Sequence, residues 1–326
     1  MQQRMIETAT LRMNIAEAGE GPLVLLCHGF PETSHAWRHQ ITALAGAGIH
    51  AVAPDMRGYG RTESPDEAGA YTVVDLVADM VALVDALGAE QAVIVGNDWG
   101  ATVAWQAALM RPDRFRGVVA MSVPLMGQPP IPPTKIFPAT ADHLLYVLYF
   151  QEPGSAEAEF ERNVEVTLRK IYGAASGEAG PRLPGDGTPN PFGMVSRASG
   201  LLADLPESDT LPAWLPKSDL DTFVDAFKAS GFRGGLNYYR NLDRNWELQK
   251  AFAGLKIEIP ALFMAGERDT GLAIPGMREI ISAMPQLAPD LRATQFVPGA
   301  GHWLPQERPD IVSRAIIDFV QGLWAV

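Results

Sequence analysis

The chain has 326 residues, 47% of them hydrophobic and 20% charged, with a formal net charge of -12; this allows one full core plus an insertion and excludes disordered, collagen-like and membrane-spanning classes. The negative charge argues against nucleic-acid backbones as partners. A single cysteine, Cys27, permits no internal disulfide and points to a reducing, cytoplasmic setting. The segment Met1 to Glu7 lacks the apolar stretch of a secretory signal, and runs such as Leu144 to Phe150 are far short of the roughly 18 residues of a membrane span.

Taken in order, Leu23 to Cys27 and Ile49 to Ala53 are short apolar runs expected as buried strands, with helical spacing between them and again from Thr72 to Leu87. Gln91 to Val95 reads as a strand that runs through a turn into a helix from Ala101 to Met110, and Gly117 to Met121 as a further strand. Such alternation predicts parallel strands covered on both faces by helices. From about Leu125 to Gly254 it stops. No convincing strand is seen there, and four segments read as helices: Ala139 to Gln151, Ala156 to Tyr172, Ser218 to Ser230 and Leu236 to Lys250. Gly173 to Pro191, rich in Gly and Pro, reads as an irregular loop. Strand patterns resume at Pro260 to Ala265 and Arg292 to Val297, followed by a helix near Asp310 to Trp324. The expected architecture is an α/β core with a mostly parallel sheet, residues 1–124 and 255–326, interrupted by a mostly helical cap over 125–254.

The turn Gly96-Asn97-Asp98-Trp99-Gly100 has the frame of a G-x-S-x-G nucleophile elbow with a carboxylate in place of the serine. The competing reading is that Asp98 is only a helix N-cap. Gly299-Ala300-Gly301-His302-Trp303 places His302 in a tight loop after the last strand, where open α/β sheets gather their ligands. A carboxylate must orient that imidazole. The loop after Met121 offers Ser122-Val123-Pro124 and no acid, whereas Gly266-Glu267-Arg268-Asp269 offers two; Asp269 is preferred, with Glu267 as its rival. His28-Gly29-Phe30-Pro31-Glu32 follows a strand and can aim the Phe30 N–H at an oxyanion, with the Trp99 N–H as second donor. Cys27 lies within an apolar strand and reads as a small buried residue.

These residues, together with Arg57-Gly58-Tyr59-Gly60-Arg61-Thr62, resemble the epoxide hydrolases of the α/β-hydrolase fold, and the resemblance extends over nearly the whole chain. It implies that Asp98 is a nucleophile that forms an ester, that His302 with Asp269 activates water, and that two cap tyrosines stabilise the leaving oxygen. The segment around Tyr146-Val147-Leu148-Tyr149-Phe150 is similar to the first tyrosine motif, with Tyr146 in the catalytic place. Gly231-Phe232-Arg233-Gly234-Gly235-Leu236-Asn237-Tyr238-Tyr239 is similar to the second, with Tyr239 in that place. Tyr149 and Tyr238 then read as aromatic core. One departure stands out, Asn97 where the family often has histidine before the nucleophile.

The resemblance implies a small-molecule epoxide as substrate, a vicinal diol as product, and no metal or organic cofactor; a homo-oligomer is compatible with everything read here. A haloalkane or haloacetate dehalogenase shares the aspartate and histidine but binds halide, which the two phenols argue against. A non-catalytic receptor on the same fold is disfavoured by the intact Asp98, Asp269 and His302, and a serine esterase by the lack of any G-x-S-x-G.

Overall fold

The computed structural model describes residues 1–180, 190–208 and 210–324. An eight-stranded sheet is built from β1 (Gln2–Glu7), β2 (Arg12–Ala18), β3 (Leu23–Cys27), β4 (His50–Pro54), β5 (Ala92–Asn97), β6 (Phe115–Met121), β9 (Ala261–Gly266) and β10 (Leu291–Val297), in the order β1-β2-β4-β3-β5-β6-β9-β10. Every pair from β4 to β10 is parallel, while β1 on β2 and β2 on β4 are antiparallel. Side chains of β3 and of Ala92–Val95 in β5 are almost wholly buried. Because successive side chains point to opposite faces, both faces of the sheet are covered there, which is why these strands read as unbroken apolar runs.

The helices are α1 (Arg38–Gly46), α2 (Val73–Ala86), α3 (Trp99–Met110), α4 (Tyr146–Tyr149), α5 (Ser155–Phe160), α6 (Val164–Ala175), α7 (Lys217–Ser230), α8 (Arg233–Arg240), α9 (Leu242–Gln249), α10 (Met277–Ala283), α11 (Leu304–Glu307) and α12 (Pro309–Trp324). In the core, α1 packs with α12 and α2 with α3. Thr72 starts α2 with a reciprocal capping box to Asp75. Between β6 and β9 the chain leaves the sheet, and α4 to α9 lie in this excursion. No described helix is long and apolar enough to cross a membrane.

The structure departs from the sequence expectations in several places. β1 and β2 carry no unbroken apolar run; they form an edge hairpin whose outer strand β1 is largely exposed, while in β2 Met13 to Ala16 are all buried, the polar Asn14 among them donating to Asp55. The excursion is not free of strands, since β7 (His143–Leu145) pairs antiparallel with β8 (Met194–Ser196). The expected helix over 139–151 is therefore β7 followed by the single turn α4. The expected helix over 156–172 is two helices, because Asn163 caps α6 by accepting the Val166 N–H. The last expected one begins earlier, at Arg233, and breaks at Asn241, whose amide donates to the carbonyls of Ala68 and Asn237. The expected loop over 173–191 is helical to Ala175 and then makes a 3-10 turn over Gly177–Ala179; residues 181–189 lie outside the described residues.

Candidate active site

Asp98 sits in the turn from β5 into α3 with φ 55° and ψ −122°. Among the described residues only Ser122 shares a positive φ without being glycine. Such backbone costs on the order of 1 to 3 kcal/mol and persists only where its surroundings enforce it. The glycines explain how the turn closes. A Cβ on Gly96 would lie 2.0 Å from the Gly100 carbonyl oxygen, and one on Gly100 would lie 1.9 Å from that of Cys27. Although Asp98 occupies the N-cap position of α3, its side chain makes no capping hydrogen bond. The simple cap reading leaves the carboxylate's direction unexplained.

That direction is set by two loops. After β3, the Phe30 N–H donates to Asp98 Oδ1 at 2.8 Å. After β10, His302 Nε2 lies 3.5 Å from Asp98 Oδ2, and Nε2 has no hydrogen-bond partner. His302 Nδ1 is 3.1 and 3.2 Å from the two oxygens of Asp269, which is buried, while Glu267 is exposed. Trp99 opens α3, so its N–H has no partner within the helix. Burial opposes a charged His302, but the Asp269 and Asp98 carboxylates outweigh it and hold its pKa well above the ordinary value. Burial likewise pushes Asp269 up, and the His302 charge and hydrogen bond bring it below the usual carboxylate range.

The turn after β3 is itself braced. Met56 N–H donates to His28 Nε2 at 2.9 Å, so that nitrogen is an acceptor; Nδ1, 2.9 Å from the Gly29 carbonyl, then carries the proton. His28 is thereby a neutral, fully engaged imidazole, and burial lowers its pKa to about 4. Glu32, also buried, accepts from Gln306 Nε2 at 2.7 Å, and burial pushes its carboxyl up to about 7, with His302 opposing and Asp98 assisting.

Aromatic rings close the other side. Tyr239 is 2% exposed, and its ring packs edge-on against Trp99 (5.1 Å between centroids), Phe30 (5.7 Å) and Tyr146 (5.8 Å). Its hydroxyl has no hydrogen-bond partner. Burial raises the pKa of both Tyr146 and Tyr239, and the Asp98 charge adds to it, so both phenols stay protonated. Tyr149 and Tyr238 are engaged elsewhere, donating to Glu159 and to the Arg57 carbonyl.

No residue pattern points to Phe192, whose ring packs at a tilt 4.7 Å from that of His302 and 5.3 Å from that of Tyr146 between centroids and so bridges the histidine to a phenol. Asn97 and Ser122 also belong here. Asn97 Nδ2 donates to the His302 carbonyl at 3.3 Å, and the Ser122 hydroxyl lies 3.0 Å from Asn97 Oδ1 and 3.3 Å from that same carbonyl. Asn97 thus steadies the backbone of the histidine loop. Among the described residues no group of three or more His, Cys, Asp or Glu is placed to hold a metal ion.

Residues 22–309 match the pattern of the alpha/beta hydrolase fold family. Epoxide hydrolase A of Mycobacterium tuberculosis is 43% identical over 327 residues, covering 98% of each chain. Epoxide hydrolase 2 of Siraitia grosvenorii is 39% identical, covering 97% of each. The solved structure of an epoxide hydrolase from an endophytic Streptomyces aligns with a TM-score of 0.94 at 42% identity, covering 99% of this chain and 96% of that one.

Proposed function

Because the chain belongs to the epoxide hydrolases of the α/β-hydrolase fold, we propose that it converts an epoxide and water to a vicinal diol through a covalent ester on Asp98. The observation that carries this reading is the division of labour around one carboxylate. Phe30 holds Oδ1, while Oδ2 faces His302, and two protonated phenols from the excursion stand over the same side chain.

Asp98 Oδ2 forms a bond to an epoxide carbon as the carbon–oxygen bond breaks, and the electron pair moves onto the ring oxygen. Tyr146 or Tyr239 hands that oxygen a proton and the other phenol hydrogen-bonds it. Phenols are suited to this because their protons are retained until a strongly basic alkoxide develops. Esterification removes the negative charge of Asp98, one of the two carboxylates that hold His302 protonated. The base is released when the second step needs it, its proton passing to the phenolate left by ring opening. His302 then takes a proton from water, hydroxide adds to the ester carbon, and the oxyanion forms at Oδ1 between the Phe30 and Trp99 N–H groups. Breaking the bond from that carbon to Oδ2 frees the diol, the imidazolium supplies its proton, and the Asp98 carboxyl, left protonated, returns its proton to His302. Residues 125–254 act as the cap that carries the phenols and closes the pocket over the core, residues 1–124 and 255–326.

The test is single-turnover hydrolysis of styrene oxide in isotopically heavy water. The first diol should carry oxygen from the protein, because Oδ2 leaves with it; a first diol labelled to the level of the solvent would refute the ester. Parallel measurement of halide release from haloalkanes distinguishes the dehalogenase reading.

A further inference from the structure

Glu307, at the end of α11, is a buried carboxylate whose three acceptor bonds all go to backbone N–H groups. Oε2 accepts from Gly301 at 3.0 Å and from Gly177 at 2.9 Å, and Oε1 accepts from Trp303 at 3.2 Å. Gly301 and Trp303 flank His302, so one side chain grips the backbone on both sides of the histidine. The third donor, Gly177, lies just past α6 in the excursion. The same contact is reinforced by the His302 N–H to the Ala175 carbonyl at 3.0 Å, the Trp303 indole N–H to the Tyr172 carbonyl at 2.9 Å and Arg268 to the Gly177 carbonyl at 2.9 Å.

We propose that Glu307 is a positioning residue that fixes the His302 turn and ties it to the end of α6, so that hydrolysis of the Asp98 ester depends on it while formation of the ester does not. The inference rests on the ester reading above. Ester formation uses Asp98 and the phenols, none of which Glu307 touches. Hydrolysis needs His302 Nε2 aimed at a water beside the ester carbon, and a small rotation of the turn spoils that aim. Charged acceptors for buried N–H groups are stronger than neutral ones. Replacing either oxygen by an amide NH2 sets donor against donor. The contact with Gly177 also makes the seating of α6 a condition for a well-placed base.

The experiment is rapid quenching of styrene oxide turnover in the parent, Glu307→Gln and Glu307→Asp proteins, with the acid-trapped ester quantified by mass. In Glu307→Gln, ester formation should stay within about 3-fold of the parent while ester hydrolysis slows by roughly 10 to 100-fold, so that ester accumulates. Glu307→Asp keeps the charge with a shorter reach and should fall between. If Glu307→Gln does not fold, the same comparison on Glu307→Asp decides. Hydrolysis at the parental rate, or both steps slowed by one common factor as a general loosening would give, overturns the proposal. Failure of the ester reading itself looks different: no ester in any variant, His302→Ala included, while epoxide is still consumed.

Discussion

The Phe30 N–H donates to Asp98 Oδ1 at 2.8 Å, and this leaves Oδ2 alone facing His302 Nε2 at 3.5 Å. The two oxygens of one carboxylate are thus inequivalent before any substrate arrives. On the proposed ester mechanism, Oδ1 already occupies the place of the carbonyl oxygen, and Oδ2 is the atom free to approach carbon.

The relationship depends on Gly29. A Cβ there would lie 2.3 Å from Asp98 Oδ1 and 2.4 Å from Asp98 Cβ, so the Asp98 side chain is what must move. Gly29→Ala should leave the fold intact by circular dichroism while ester formation falls by roughly 100-fold or more, because the displaced Asp98 no longer lies in line with the epoxide carbon. Ester formation within about 3-fold of the parent would show that the Phe30 contact does not matter to the reaction.

His302→Ala should form the ester and fail to break it, since the carboxylate and phenols remain. Mass spectrometry after mixing with styrene oxide should find the protein heavier by one substrate. Epoxide consumption at the parental rate with no adduct would remove His302 from its place as base.

Asp98 and Asp269 together hold the His302 pKa well above its ordinary value, and the proposed ester would cancel the Asp98 charge. The apparent pKa governing ester hydrolysis should therefore lie below the His302 pKa of the free protein, read from its ring resonances by NMR. An equal or higher value for the hydrolytic step would contradict this release of the base.

Tyr146 and Tyr239 lie 5.8 Å apart between ring centroids and both feel the Asp98 charge. Single changes to Phe should slow ring opening by roughly 10 to 100-fold each, and the double change should cost far more, since either phenol can serve in part when the other is missing. Binding of the diol product should weaken much less. A double variant that opens the epoxide at the parental rate would exclude the phenols as the acid.

His28 provides a stability test. Its pKa is lowered to about 4 in the fold by burial, against about 6.5 in an unfolded chain. The unfolded state therefore binds the extra proton first as pH falls. The contribution of His28 is fully present above about pH 6.5 and is lost progressively down to about pH 4, a total of about 3 kcal/mol. Denaturant titrations of the parent should show that slope, and His28→Gln should flatten it. An unchanged slope in His28→Gln would assign the acid sensitivity elsewhere.

What could be read from the residues alone was whatever is decided locally. The apolar runs of β3 and β5, the two glycines that let the elbow close, and the pairing of His302 with a late strand end all depend on neighbours in sequence, and the fold supports each. The edge hairpin β1–β2 is not legible because its outer strand is largely solvated and the buried stretch of β2 is interrupted by the polar Asn14. The helix breaks of the excursion are set by single side chains, Asn163 capping the start of α6 and Asn241 binding the distant Ala68 carbonyl after α8. Only tertiary structure decided between Asp269 and Glu267, two acids two residues apart in one loop. One is buried against His302 and the other faces water, and that difference is created by β10 and its loop rather than by the loop's own sequence. The grip of Glu307 and the bracket of Asn97 and Ser122 were invisible for the same reason: a hydrogen bond across the fold is set by where packing brings two backbones, and no local pattern of residues encodes that distance.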